Sequence, residues 1–130
     1  MVDRCGIIKF VRHIRDETGD IMAVHEFGIM ERPPAGGERY DTYEPKKYGC
    51  ISVDDEYIEP IVPKTHDIKM YWHSLDMSGG GLDYCGITLI SPEASERIVE
   101  IIDGIPQLSE LKMLLAEAVD KDKFVIHYGL

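Results

Sequence analysis

Apolar residues come along this chain first in short bursts and later at intervals of three or four. The first pattern predicts strands and the second predicts helices. Residues 6–14 (GIIKFVRHI) and 21–30 (IMAVHEFGIM) flank a polar, glycine-containing RDETGD, which predicts a hairpin. A helix through KFVRHIRDE competes with the first strand, because a short apolar run fits either period. Residues 31–47 carry three prolines, two glycines and many charges, the composition of a surface loop. Residues 48–53 (YGCISV) predict a strand, and DDE predicts a turn. Pro60 and Pro63 assign YIEPIVP to a sheet edge or an extended loop. Residues 67–75 (DIKMYWHSL) alternate as another strand.

Residues 82–90 (LDYCGITLI) are rich in β-formers and end at Ser-Pro-Glu. There Ser91 is a good N-cap, Pro92 fits the first helical position, and Glu93 suits the positive helix end. Ala94, Ile98, Ile101 and Ile102 then share one helical face, until Gly104 and Pro106 stop the helix. A second helix over residues 108–119 aligns Leu108, Leu111, Leu115, Ala118 and Val119. DKDK breaks it, and FVIHYGL closes the chain as a strand. Strands followed by helices predict an α+β fold. The expected architecture is a mostly antiparallel sheet with two C-terminal helices on one face and a closing C-terminal strand. At 130 residues the chain is long enough for one domain, 1–130, with its own core.

Gly79, Gly80 and Gly81 invite comparison with a phosphate-binding loop, but the order of elements is wrong. Such a loop places its glycines between a strand and a helix. Here they precede a strand, the helix starts ten residues after Gly81, and its first turns carry Glu93 and Glu96. The glycines read instead as a flexible connection that permits positive φ.

The net charge is −10. It is spread along the chain, with nine Lys and Arg against thirteen Asp and Glu in residues 1–65, and five against eleven in residues 66–130. Such a surface repels nucleic acid and anionic lipid and attracts basic partners, although solubility alone accounts for many acidic proteins. No stretch approaches the apolar length of a membrane span. The N-terminal MVDRCGIIKFVRHIRDE lacks the pattern of a secretory signal, so a cytoplasmic protein is expected. Cys5, Cys50 and Cys85 are odd in number and widely spaced, which predicts thiols packed as small apolar groups rather than disulfides.

Candidate chemistry is sparse. The five histidines form no HExxH, HxH or helical i,i+4 pair. His66, His73, Cys85 and His127 are the residues with which a small metal-binding domain or metal-dependent enzyme would hold zinc, if the sheet gathered them. No GxSxG elbow or recognisable catalytic cysteine occurs, so no catalytic residue and no cofactor is assigned. Asp54/Asp55 and Asp120/Asp122 fall in turn-like positions where solvated aspartates are the expectation. What stands out is carboxylates interleaved with aromatics. DDEYIEP supplies Asp54, Asp55, Glu56, Tyr57 and Glu59, and the later segments add Trp72, Asp76 and Asp83. Aromatics anchor interfaces, and carboxylates speed association with basic proteins. Trp72 fits equally as a core residue with a wet polar edge.

The segment GLDYCGITLISPEASERIVEII and the ending ELKMLLAEAVDKDKFVIHYGL resemble small uncharacterised bacterial proteins of the polymorphic-toxin immunity type. The likeness covers residues 72–130, and its motifs describe packing more than chemistry. It implies an immunity or antitoxin-like protein that binds a toxin and blocks it. An acidic, aromatic-containing surface is chemically suited to the basic cleft of a toxin that attacks nucleic acid.

Overall fold

The computed structural model describes residues 13–15 and 21–130. Among them are seven strands: β1 (His13–Arg15), β2 (Ile21–Ile29), β3 (Ile51–Asp54), β4 (Lys69–Trp72), β5 (Ser78–Gly80), β6 (Ile87–Ile90) and β7 (Val125–Tyr128). Three α-helices accompany them: α1 (Asp55–Ile58), α2 (Pro92–Ile102) and α3 (Ser109–Asp120). The sheet runs β1-β2-β7-β6-β4-β5, with β3 also paired to β2, and every pairing is antiparallel. The α+β class, the two C-terminal helices and the closing strand are as the pattern predicted. Of the expected first hairpin, His13–Arg15 pairs with Ile21–Ala23. The rest of that first strand lies outside the described residues.

Period-two alternation divides the sheet into two faces. Phe27, Val53, Met70, Ile90 and Val125 point to the face covered by the helices, where they meet Ala94, Ile98 and Ile102 of α2 and Leu111, Leu115 and Ala118 of α3. Ser91 accepts the Ala94 N–H at 3.2 Å and so caps α2. Gly104, at φ +84°, turns the chain toward α3. Ile87, Leu89, Ile126 and Tyr128 point the other way and are covered with Tyr40, Tyr48 and Cys50 from the long loop. That loop lies close enough that a Cβ on Gly28 would fall 2.7 Å from the Cys50 sulfur.

Three local expectations change. Residues 57–63 are not extended: α1 leads directly into a 3-10 helix, Glu59–Thr65. Pro60 stands at its start, where a helical turn asks nothing of the missing N–H and the fixed φ is already suitable. The strand read over residues 82–90 is confined to Ile87–Ile90. Before it, the Gly86 N–H donates to the Asp83 carbonyl at 3.2 Å and closes a turn.

The glycines are also more ordered than a flexible connection. Gly79 and Gly80 pair with Met70 and Lys69 as part of β5, and only Gly81 has positive φ. The Trp72 ring lies so close over Gly79 that a Cβ there would be 2.5 Å from it. No helix among the described residues is long and apolar enough to cross a membrane.

Candidate functional site beneath an acidic rim

The register brings the ends of β3, β4 and β7 and the starts of β2 and β6 to one end of the sheet. Asp54 is opposite Val24, Tyr128 is opposite both Glu26 and Ile87, and Trp72 is opposite Thr88. The Leu130 N–H donates to the Tyr84 carbonyl at 2.9 Å, which ties the segment before β6 to the same end. Here the helix-covered side of the sheet stops being apolar.

His25 of β2 and His127 of β7 share the inward parity of Phe27 and Val125, and both are fully buried. Their rings are within 12° of parallel with centroids 5.2 Å apart, and they meet edge to edge, with His25 Nδ1 2.9 Å from His127 Nε2 in a hydrogen bond. On one side, His25 Nε2 is 2.9 Å from Asp55 Oδ1, and the Tyr84 hydroxyl donates to that same oxygen at 2.6 Å. On the other, His127 Nδ1 is 3.1 Å from the Thr88 hydroxyl oxygen, which also accepts the Asp83 N–H at 2.9 Å. Five side chains, from α1, β2, β6, β7 and the segment before β6, thus make one polar chain, Tyr84–Asp55–His25–His127–Thr88. Buried polar groups on this scale are tolerated because they are hydrogen-bonded to one another.

Asp55 therefore does not belong on a binding surface, contrary to the sequence expectation. It is 6% exposed, held by His25 and Tyr84, rather than a solvated turn aspartate. Its neighbours keep the surface position. Asp54 caps α1 by accepting the Glu56 N–H at 2.9 Å, Glu56 and Glu59 are exposed, and Tyr57 is half-buried. The carboxylate of Glu56 beside it pushes the Tyr57 phenol above its ordinary range. Asp76, in the turn after β4, is exposed, and Asp83 is half-buried before β6.

Trp72 is committed elsewhere. Its indole N–H donates to the Gly81 carbonyl at 2.9 Å while its ring covers Gly79, so the core alternative describes it better than an interface anchor. Six of the eight predicted contacts, Asp54, Glu56, Tyr57, Glu59, Asp76 and Asp83, remain as a rim around this end. With β3 and β4 four strand spacings apart, the rim is roughly 20 Å across.

The four residues considered for a metal do not assemble. His66 is exposed at the end of the 3-10 helix, and Cys85 is disulfide-bonded, which corrects the expectation of free thiols at that position. Both ring nitrogens of His127 are taken up by His25 and Thr88. His73 sits at φ +63° with Nε2 accepting the Ile87 N–H at 3.3 Å. Its Nδ1 lies 2.8 Å from Asp41 Oδ1, a close contact outside hydrogen-bond alignment. Among the described residues no group of three or more His, Cys, Asp or Glu is arranged to hold a metal ion. Cys50 is a free thiol, pushed up to about 12 by burial and then by the charge of Glu26.

Sequence reasoning passed over His25, Tyr84 and Thr88 and treated His127 only as a metal ligand. A signal existed: VHEF and FVIHY each set a histidine at an inward position of an otherwise apolar strand. The pairing of those two strands, and Asp55 reaching the pair from α1, depend on tertiary structure. No family model, curated protein or solved structure matches the chain.

Proposed function

We propose that the chain is a non-catalytic protein-binding domain that neutralises a basic protein, most concretely a toxin domain, through the acidic rim around the Asp55 end of the sheet. The observation that supports this reading is convergence. Asp54, Glu56, Tyr57 and Glu59 follow β3, Asp76 follows β4, and Asp83 precedes β6, yet all reach one end of the molecule. Their carboxylates present like charge at the scale of a protein interface, and charge of this kind raises association rates with a basic partner. Beneath them, the Asp55 network fixes the start of α1, so the rim is presented on an anchored backbone, which lowers the ordering cost of binding.

The test is capture from the native host at low and moderate salt, with bound proteins identified by mass spectrometry. One basic protein, released as salt rises and encoded beside this chain, is the expected result. A clean lane at both salts would remove the proposal.

The cytoplasm is the compartment proposed with this reading. The disulfide at Cys85 opposes it, because reducing compartments keep most thiols free. Trapping thiols with alkylating agent during lysis decides the matter: an alkylated Cys85 supports the cytoplasm, and a protected one moves the protein to an oxidising compartment.

A further inference from the structure

The hydrogen bonds of the buried chain admit one ordering of protons when both imidazoles are neutral. A carboxylate only accepts, so His25 Nε2 must carry the hydrogen that faces Asp55. A neutral His25 then has a lone pair at Nδ1, and His127 Nε2 donates to it. His127 Nδ1 is left as an acceptor, and the Thr88 hydroxyl donates to it while its oxygen accepts the Asp83 N–H. Every bond points toward Asp55.

We propose that this chain is a one-proton store. Among the four imidazole nitrogens, an added proton has one place that breaks nothing, His127 Nδ1. The Thr88 hydroxyl rotates away, and its oxygen uses its second lone pair to accept the new Nδ1–H. His127 becomes the cation. It can pass its Nε2 proton to His25 Nδ1, keeping the electron pair of the broken N–H bond, so the charge moves beside Asp55 and the number of protons is unchanged. A second proton on the imidazoles finds no such place. It would set two N–H groups against each other across the 2.9 Å between the rings, and the histidine–histidine bond would open.

Among the described residues, the titratable groups facing the pair are Asp55 from α1 and Tyr84 from the turn before β6, whose ring centroid is 5.3 Å from that of His25. Glu26 and Tyr128, adjacent in sequence, have the opposite strand parity. The Phe27 ring centroid lies 4.8 Å from that of His127. The consequence is conformational: the histidine–histidine bond survives the first protonation and opens only at the second, while Asp55 keeps its bonds to His25 and Tyr84. This inference does not depend on the binding function.

Long-range nitrogen NMR of the histidine-labelled full chain, titrated down from about pH 8, tests it. Both rings are expected as Nε2–H tautomers at the start, with His25 and His127 then shifting together through one midpoint as the pair gains a single proton. Thr88→Val removes the acceptor for the incoming Nδ1–H. It is expected to lower that midpoint by about one pH unit or more, a tenfold loss of proton affinity. Thr88→Ser keeps the hydroxyl and is expected to restore it.

An Nδ1–H tautomer on either ring at the start would overturn the proposal, as would two independent midpoints each worth a full proton. So would a folded Thr88→Val that titrates like the parent chain. If Thr88→Val does not fold, the parent tautomers and the count of protons decide the matter alone.

Discussion

The helix-covered side of the sheet is filled in two different ways. Under α2 and α3, Ile90, Val125, Ile98, Leu111 and Leu115 make an apolar layer in which no residue needs a particular neighbour beyond fit. Under α1, the same strands present Thr88, His127 and His25, and each works only with its partner in place. The first region tolerates exchange of similar shapes, as apolar cores generally do. The second is directional: it fixes tautomers and positions one carboxylate, at the cost of burying polar groups that become liabilities when any one is removed.

Substitutions can separate the two regimes. Leu115→Ala leaves a cavity at a fully buried position and is expected to cost about 2–5 kcal/mol in urea unfolding, whereas Leu115→Met should cost under about 1.5 kcal/mol. Asp55→Ala is expected to cost about 3 kcal/mol, because His25 and Tyr84 lose their common acceptor. Here the shape-conserving Asp55→Asn should recover little, since its amide is a weaker acceptor than a carboxylate. If Asn restored stability as Met does at Leu115, the distinction between the two regions would collapse.

Smaller effects sharpen the same contrast on the surface. Arg97 beside Asp67, and Lys112 beside Asp103, hold those carboxyls below the ordinary carboxylate range, first through hydrogen bonds and then through charge. Depressed acids stabilise above their unfolded value and lose that contribution as pH falls through the folded one. The loss therefore belongs below about pH 4, and both pairs are exposed. Asp67→Asn with Asp103→Asn should flatten the acid limb of the stability curve slightly, lowering stability a little at neutral pH and leaving the acid end unchanged.

Cys50 provides the alkaline counterpart. A raised thiol contributes stability below its unfolded value that is lost as pH climbs toward about 12. Its alkylation in the folded protein should consequently be slow at neutral pH, and rapid alkylation would contradict burial under the loop.

The apolar layer was largely legible in the sequence because its rule is local. Ala94, Ile98 and Ile102 repeat at helical spacing behind the Ser91 cap, and Val125–Tyr128 reads as a strand without knowledge of its neighbours. The polar chain follows no local rule. His25 and His127 are 102 positions apart, and Asp55 lies in a run of carboxylates where it resembles Asp54 and Glu56. Only the backbone turn at α1 sends Asp55 inward while Asp54 caps the helix and Glu56 faces out. The same limit explains the prolines of residues 57–63. Fixed φ suits an extended edge and a 3-10 turn alike, and packing of Ile58 and Ile61 into the core selects the turn.

The acidic rim at the Asp55 end is the face proposed to bind. The most direct measurement compares association rates of the captured basic partner with two charge reversals, each first shown to fold like the parent. Glu56→Lys with Glu59→Lys alters the rim; Glu96→Lys with Glu100→Lys alters exposed positions on α2 by the same formal charge. The rim variant is expected to associate at least about tenfold more slowly at low salt and to lose most of its salt dependence, with the α2 variant close to the parent. Equal slowing by both variants would reduce the effect to net charge, and slowing by the α2 variant alone would place the binding face on the helices.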